Sequence, residues 1–226
     1  MNVTIDQGPM TPAAPKLNLL VLAASLRAES LNRKLAELAA RIAEHSGAKV
    51  DRASMRDFDV PLYDGDLQDS AGIPPGALDF QRRLVASDAF IVASPEYNRS
   101  MPGAIKNLID WTSRLRPQPF DGRHGLLLSA SPSLAGGNHG LWALRVPFEH
   151  LGARIFPDMF SLATAQKAFA EGELVDPALR ERFEKNVLAF LSLAEAAKHY
   201  PCMKRAWVEF LGEPPSASAT RDERTG

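Results

Sequence analysis

The chain has 226 residues, and its 26 basic and 27 acidic side chains leave a formal net charge of −1. A balance this close to neutral excludes the broad basic field that attracts nucleic acid or an anionic membrane. The single cysteine, Cys202, excludes an intramolecular disulfide and a cysteine-rich zinc site.

The N-terminal part of the chain begins with a segment that shows no structural period. Residues 1–15 contain three prolines and no signal-peptide pattern, so we expect a disordered leader. No apolar run approaches the roughly 20 residues of a membrane span, and we expect a soluble cytoplasmic protein. Residues 17–23 are almost all apolar, which predicts a strand buried on both faces. Residues 32–45 carry apolar side chains at helical spacing, and residues 50–53 predict a short second strand.

The rest of the chain continues the alternation of helix and strand. Residues 58–76 are rich in Asp, Gly and Pro, and they predict a long connection of the kind that often has a function. Residues 77–86 predict a helix with Leu78, Leu84 and Val85 in the core. The later elements are predicted as a strand at 88–94, a helix at 103–114, a strand at 124–130, a helix at 138–151, a strand at 154–160, and a helix from Asp176-Pro177 to about Lys198. Residues 16–199 thus predict one domain, and residues 200–226 predict a tail that is partly docked or disordered.

The alternating order predicts an α/β fold with a parallel sheet and helices on both faces. Right-handed crossovers leave few arrangements of five such strands. They favour the flavodoxin-like three-layer fold, a five-stranded parallel sheet with strand order 2-1-3-4-5. Its ligand crevice lies at the carboxyl ends of strands 1, 3 and 4. Three polar or glycine-rich loops follow those strands: loop 1 (residues 25–32), loop 2 (94–103) and loop 3 (131–138).

Loop 1 has the composition of a phosphate site. Ser25, Ser30 and Asn32 can donate neutral hydrogen bonds, and Arg27 can donate a charge-assisted one. The following helix adds free backbone N–H groups and a positive dipole end. An ordinary strand-to-helix turn capped by Ser30 or Asn32 is the alternative. The loop lacks the glycine pattern of dinucleotide and nucleoside-triphosphate sites, which favours a phosphate monoester.

Loop 2 has the composition of a rigid edge for a flat heterocycle. Pro95 and Pro102 fix backbone angles, Gly103 permits close approach, and Tyr97 can pack its ring against a ligand. The backbone amides of residues 96–98 can bond to a polar ring edge. A solvated loop carboxylate is the alternative for Glu96. We expect Asn107 and Asp110, on the next helix, to bond structurally to this loop.

Loop 3 offers little side-chain chemistry. Gly136 and Gly137 allow the backbone to approach a ring, and a flexible turn is the alternative. Ser131 and Ser133 lack the G-x-S-x-G context of a nucleophile. The histidines show no metal-binding spacing, so we expect neither a catalytic side chain nor a metal.

Two motifs together resemble a known family. They are Ser25-Leu26-Arg27-x-x-Ser30-x-Asn32 and Ser94-Pro95-Glu96-Tyr97-Asn98-x-Ser100-x-Pro102-Gly103-x-x-Lys106-Asn107-x-x-Asp110-Trp111. The chain resembles the NADPH-dependent FMN reductase family, which includes quinone, chromate and azo-dye reductases. The resemblance runs from about residue 17 to residue 193.

The resemblance implies FMN as cofactor, NADPH or NADH as electron donor, and a homodimer or homotetramer. It places Ser25, Arg27, Ser30 and Asn32 at the FMN phosphate. The positions that it implies for cofactor binding are Ser25, Arg27, Ser30, Leu31 and Asn32 in loop 1, Pro95, Glu96, Tyr97 and Asn98 in loop 2, and Ser131 and Gly136 in loop 3. The flavin itself would carry the redox chemistry, so no side-chain nucleophile is needed.

The function implied is an oxidoreductase with a ping-pong mechanism. Hydride would pass from NAD(P)H to flavin N5 and then to a small acceptor: a quinone, free flavin, azo compound or metal oxyanion. Two alternatives stay open. A non-enzymatic electron carrier of the flavodoxin type would be inert towards NADPH and a quinone. A subunit or regulatory module that has kept the fold without flavin would lack flavin colour.

Overall fold

A parallel sheet forms the centre of the protein. The computed structural model describes residues 17–211, with side chains as far as Lys198, so the expected leader lies outside the described residues. The strands lie in the predicted order, β2-β1-β3-β4-β5, and β6 also pairs with β4. The strands are β1 (Asn18–Ala23), β2 (Lys49–Ser54), β3 (Ala89–Ala93), β4 (His124–Ala130), β5 (Arg154–Ile155) and β6 (Phe160–Leu162).

Helices cover both faces of the sheet, which confirms the flavodoxin-like three-layer fold. The described part of the chain contains α1 (Leu31–His45), α2 (Gly65–Ala71), α3 (Pro75–Val85), α4 (Gly103–Thr112), α5 (Asn138–His150) and α6 (Pro177–Leu211). Short 3₁₀ turns lie at Met55–Asp57 and Ala165–Lys167, and β7 (Phe169–Ala170) pairs with β8 (Glu173–Leu174) in a small hairpin. One core lies between the sheet and α1 with α6, and a second lies between the sheet and α3, α4 and α5.

The apolar run of β1 explains why the strand is buried on both faces. Leu19 and Val21 point into the core beneath α1 and α6, whereas Leu20 and Leu22 point into the opposite core. All four side chains are at most 2% exposed. Successive side chains of a strand alternate between faces, so a continuous apolar run suits a strand that is covered on both sides.

The predicted fifth strand is divided. Arg154 and Ile155 pair with the start of β4, and Phe160 to Leu162 pair with its end. Pro157 lies between the two segments and has no backbone N–H to donate to a strand ladder. The prediction of one strand over 154–160 was therefore wrong, although both segments border β4 as expected.

Three further details differ from the prediction. The long connection contains α2, and the hairpin of β7 and β8 was not predicted. On α3, Leu78 and Val85 are 44% and 51% exposed, so their predicted burial was wrong, while the burial of Leu84 is confirmed. Ala77 and Phe80 complete the buried face of α3, at helical spacing with Leu84.

The last helix begins as predicted but extends further. The Asp176 carboxylate accepts hydrogen bonds from the amides of Ala178 and Leu179, and Pro177 occupies the first helical position. The backbone stays helical to Leu211, past the predicted end near Lys198. The division into a domain at 16–199 and a tail at 200–226 stays a prediction. No helix within residues 17–211 is long and apolar enough to cross a membrane.

Candidate functional site

The three loops leave the carboxyl ends of three adjacent strands. Loop 1 follows β1, loop 2 follows β3 and loop 3 follows β4, and these strands are neighbours in the order β1-β3-β4. The strand ladder continues into the loops, because the amide of Ala24 donates to Ala93 and the amide of Ser94 donates to Leu128 (2.9 and 2.8 Å). The loops therefore start at one level and meet at one edge of the sheet.

Asn32 ties loop 1 to the end of β4. Its side-chain N–H₂ donates to the carbonyl oxygen of Ala130, and its Oδ1 accepts from the Ala130 amide, both at 2.9 Å. The side chain is 3% exposed. Its amide retains one unused hydrogen, so the main contribution of Asn32 is to fix the start of α1 beside loop 3.

The two serines of loop 1 are buried and partly engaged within the loop. Ser30 is the N-cap of α1, and its hydroxyl accepts from the Arg33 amide at 3.4 Å. The hydroxyl of Ser25 accepts from the Arg27 amide at 3.3 Å. The predicted capping role of Ser30 is thus present, and both hydroxyl protons remain available to a ligand.

The Arg27 guanidinium is exposed and pairs with no group among residues 17–198. Arg56, which follows β2, donates through Nε and Nη2 to the Leu26 carbonyl oxygen (3.0 and 2.6 Å). Arg56 therefore holds loop 1 in place, while the Arg27 guanidinium has no partner among the described residues. Sequence reasoning missed Arg56, because nothing in the local pattern indicates a contact between residues 30 positions apart.

Loop 2 is a tight two-residue hairpin. Tyr97 and Ser100 exchange both backbone hydrogen bonds, at 2.9 and 3.0 Å. Asn98 and Arg99 have φ of 52° and 61°, as the two central residues of a type I′ turn require. A left-handed non-glycine backbone costs roughly 1–2 kcal/mol per residue and is common at ligand sites. The Tyr97 side chain stands 49% exposed at the rim, where it is accessible to a flat ligand.

Glu96 points from loop 2 to the start of α5. Its Oε2 accepts a hydrogen bond from the Gly140 amide at 3.0 Å and lies 3.7 Å from Nδ1 of His139. The Glu96 side chain is only 14% exposed. The alternative of a solvated loop carboxylate is therefore wrong.

The two glycines of loop 3 are closely packed, whereas residues 132–135 are exposed. Gly136 and Gly137 are buried and left-handed, with φ of 62° and 86°. A Cβ added at Gly137 would lie 2.0 Å from the Ser129 hydroxyl oxygen, so glycine is required there. The Ser131 hydroxyl accepts from the Ser133 amide at 3.2 Å, which fixes the first turn of the loop.

The residues that follow loop 2 hold the long connection in place. Asn107 donates to the Pro61 carbonyl oxygen and accepts from the Tyr63 amide, both at 2.8 Å. Asp110 pairs with Lys106 at 2.7 Å. The expectation that Asn107 and Asp110 bond to loop 2 was wrong, because their partners lie in the preceding connection and on α4 itself.

The donors at this edge suit a phosphorylated heterocycle. Loop 1 presents an unpaired guanidinium, two buried hydroxyls and the first amides of α1, which have no intrahelical partner. Such a set suits a phosphate group. Loop 2 presents an accessible aromatic ring, and loop 3 brings glycine backbone to the same edge. The residues present therefore fit FMN.

Comparison with known proteins supports the same cofactor. A family model described as NADPH-dependent FMN reductase matches residues 17–167. The chain is 31% identical over 186 residues to a quinone reductase of Escherichia coli (strain K12), covering 81% of this chain and 98% of the relative. It is 33% identical over 176 residues to an NAD(P)H-dependent FMN reductase of Pseudomonas aeruginosa, covering 76% and 92%.

A solved structure gives the corresponding match in three dimensions. The flavoenzyme FerB of Paracoccus denitrificans, an NAD(P)H:(acceptor) oxidoreductase, aligns with a TM-score of 0.68 at 30% identity, covering 80% of this chain and 98% of FerB. The expected enzyme class, the FMN cofactor and the NAD(P)H co-substrate are confirmed. This chain belongs to the NADPH-dependent FMN reductase family.

Proposed function

We propose that the protein is an NAD(P)H:acceptor oxidoreductase that binds FMN across loops 1, 2 and 3 and reduces small molecules by a ping-pong mechanism. The observation that carries the proposal is the meeting of the three loops at the carboxyl ends of β1, β3 and β4. Quinones, free flavin, azo compounds and metal oxyanions are the proposed acceptors. A quinone is favoured by the name of the E. coli relative.

Each loop has a proposed role in holding the cofactor. Arg27, Ser25 and Ser30 bind the phosphate, together with the backbone N–H groups of Leu31 and Asn32 at the start of α1. The main chain of Pro95 to Asn98 lines the ring and ribityl chain, with Tyr97 at the rim. Ser131 and Gly136 border the other side of the ring.

The protein contributes binding and electrostatics to the reaction. FMN, when bound, would supply the redox chemistry, the transfer of hydride from the nicotinamide to the acceptor. Backbone N–H groups of loops 2 and 3 stabilise negative charge on the reduced ring, because fixed donors need no reorganisation when the charge develops. Donor and acceptor would occupy the same site in turn, which would give the ping-pong order.

Initial rates test the proposed order of events. NADPH and a quinone are varied together, and parallel double-reciprocal lines are expected. Lines that intersect would show that both substrates bind at once and would contradict the ping-pong mechanism. A protein that binds FMN but does not oxidise NADPH in the presence of a quinone would be an electron carrier instead.

Replacing Arg27 by Ala tests the phosphate site. The guanidinium has no partner among residues 17–198, so its loss removes a charge-assisted hydrogen bond to the ligand without breaking a contact within that part of the chain. We expect FMN binding to weaken by about 1.5–3 kcal/mol, or roughly 10- to 150-fold in Kd. Fluorescence titration of the ligand-free protein measures this change.

Arg154→Ala is the matched control for Arg27→Ala. Arg154 is exposed at the amino end of β5, on the opposite edge of the sheet. The Arg154→Ala substitution should leave FMN affinity unchanged. Equal affinities for Arg27→Ala and the unmodified protein would remove Arg27 from the phosphate site.

The resemblance also supports a proposal of a homodimer or homotetramer. Light scattering of the FMN-loaded protein would measure its mass. A mass of one chain at micromolar concentration would contradict the proposal.

A further inference from the structure

The helix that follows loop 3, α5, has no side-chain hydrogen bond from its own N-cap residue. Its N-cap residue is Gly137, which has no side chain to accept from the first amides of α5. The Gly140 amide, in the first turn of α5, has no intrahelical partner by virtue of its position. Among the described residues, its acceptor is the Glu96 carboxylate of loop 2 (3.0 Å). A residue 44 positions earlier in the chain therefore supplies the missing cap.

Loop 2 and the start of α5 are also in direct contact. A Cβ added at Gly140 would lie 3.0 Å from both Cα and Cβ of Glu96, and 3.2 Å from the Ser100 carbonyl oxygen. These distances are shorter than ordinary van der Waals contacts, so a side chain at position 140 would press against loop 2. The positive end of the α5 dipole favours an anion at this point, and His139 lies 3.7 Å from the same carboxylate oxygen.

We propose that Glu96 is a positioning residue that fixes loop 2 against loop 3 through α5 and thereby sets the width of the cofactor site. This inference rests on the proposed function, in which the flavin ring contacts both loops. The Glu96 side chain is directed to α5, so its effect on the flavin passes through the position of the loops. In the proposed site the Glu96 backbone would line the ring, whereas the carboxylate holds the start of α5, and with it loop 3, against loop 2.

Two substitutions separate the hydrogen bond from the charge. Glu96→Ala removes the acceptor, while Glu96→Gln keeps an acceptor oxygen of the same reach and removes only the charge. Glu184→Ala, an exposed carboxylate on α6, is the control for loss of a glutamate side chain. Two quantities are measured: hydrogen exchange of the Gly140 amide in the ligand-free protein, and FMN affinity by fluorescence titration.

We expect Glu96→Ala to speed exchange at Gly140 about tenfold or more and to weaken FMN binding by about tenfold or more. Glu96→Gln should stay within about threefold of the unmodified protein in both measurements, and Glu184→Ala should change neither. Near-normal values in Glu96→Gln would show that the losses in Glu96→Ala come from the missing hydrogen bond to Gly140 and not from a general loss of packing.

Three results would overturn the inference: unchanged Gly140 exchange in Glu96→Ala, unchanged FMN affinity in that variant, or equal losses in Glu96→Gln and Glu96→Ala. An unmodified protein that takes up no FMN would contradict the proposed function instead. Because Gly140 exchange is measured without ligand, it still decides whether Glu96 caps α5.

Discussion

Replacing Gly137 by Ala should lower the free energy of unfolding by about 2–5 kcal/mol. Two costs combine at this position. The backbone is left-handed, with φ of 86°, which penalises any side chain. The new Cβ would also lie 2.0 Å from the hydroxyl oxygen of Ser129, which is fully buried and cannot move into solvent. Urea denaturation of the ligand-free protein measures the loss.

Gly122→Ala is the control that separates the two costs. Gly122 has a similar φ of 71°, but a Cβ added there meets nothing within 4 Å. Gly122→Ala should therefore lower the free energy of unfolding only by the cost of the left-handed backbone, about 1–2 kcal/mol. Adding Ser129→Ala to Gly137→Ala should recover part of the difference, because it removes the clashing oxygen. Equal losses at Gly122 and Gly137 would contradict the close contact beneath loop 3.

Replacing Arg83 by Met should cost about 2–4 kcal/mol of unfolding free energy. The Arg83 side chain is 12% exposed, and its guanidinium donates to Asp51 (2.7 Å), to Asp57 (3.1 Å) and to the Arg52 carbonyl oxygen. It also lies over the Phe58 ring. The hydrogen bond that Arg83 donates to Asp51 is the largest cause that raises the Arg83 pKa, so the guanidinium stays charged. Loss of the Arg83 side chain would remove these bonds, which join α3 to β2 and to the turn that carries Arg56.

The neighbouring Arg82 provides the control for this change. Its side chain is 71% exposed and pairs with Asp79 on the same helix. An exposed pair of this kind contributes about 0.5 kcal/mol or less, so Arg82→Met should leave the unfolding midpoint almost unchanged. If Arg82→Met and Arg83→Met lower stability equally, the network around Arg83 does not hold this side of the sheet together.

The parts of the fold that the sequence predicts are those set by local pattern. The apolar runs of β1, β3 and β4 identify buried strands, and the loops that follow them locate the site. Errors arose where a local pattern admits two interpretations. On α3, Leu78, Leu84 and Val85 suggest one apolar stripe, yet the buried stripe is that of Ala77, Phe80 and Leu84. Pro157 separates β5 from β6, because proline has no backbone N–H to donate to the strand ladder.

The contacts that shape the site could not be predicted in this way. Asn32 and Ala130 lie 98 residues apart, and Glu96 and Gly140 lie 44 residues apart. Each pair depends on how two loops meet at the sheet edge, to within about an ångström, and no spacing in the sequence encodes that distance. The sequence predicts Asn32 and Glu96 as cofactor-binding residues, and that assignment stays a prediction. In the structure, both side chains hold two loops together.

The central claim is that loops 1, 2 and 3 bind FMN through both its phosphate and its ring. Titrating the ligand-free protein with FMN and, separately, with riboflavin, which lacks the phosphate, tests both contacts by fluorescence. We predict saturable binding of one FMN per chain and riboflavin binding that is weaker by about tenfold or more, with Arg27→Ala removing much of the difference. A protein that binds neither molecule, or that binds both equally, would contradict the account.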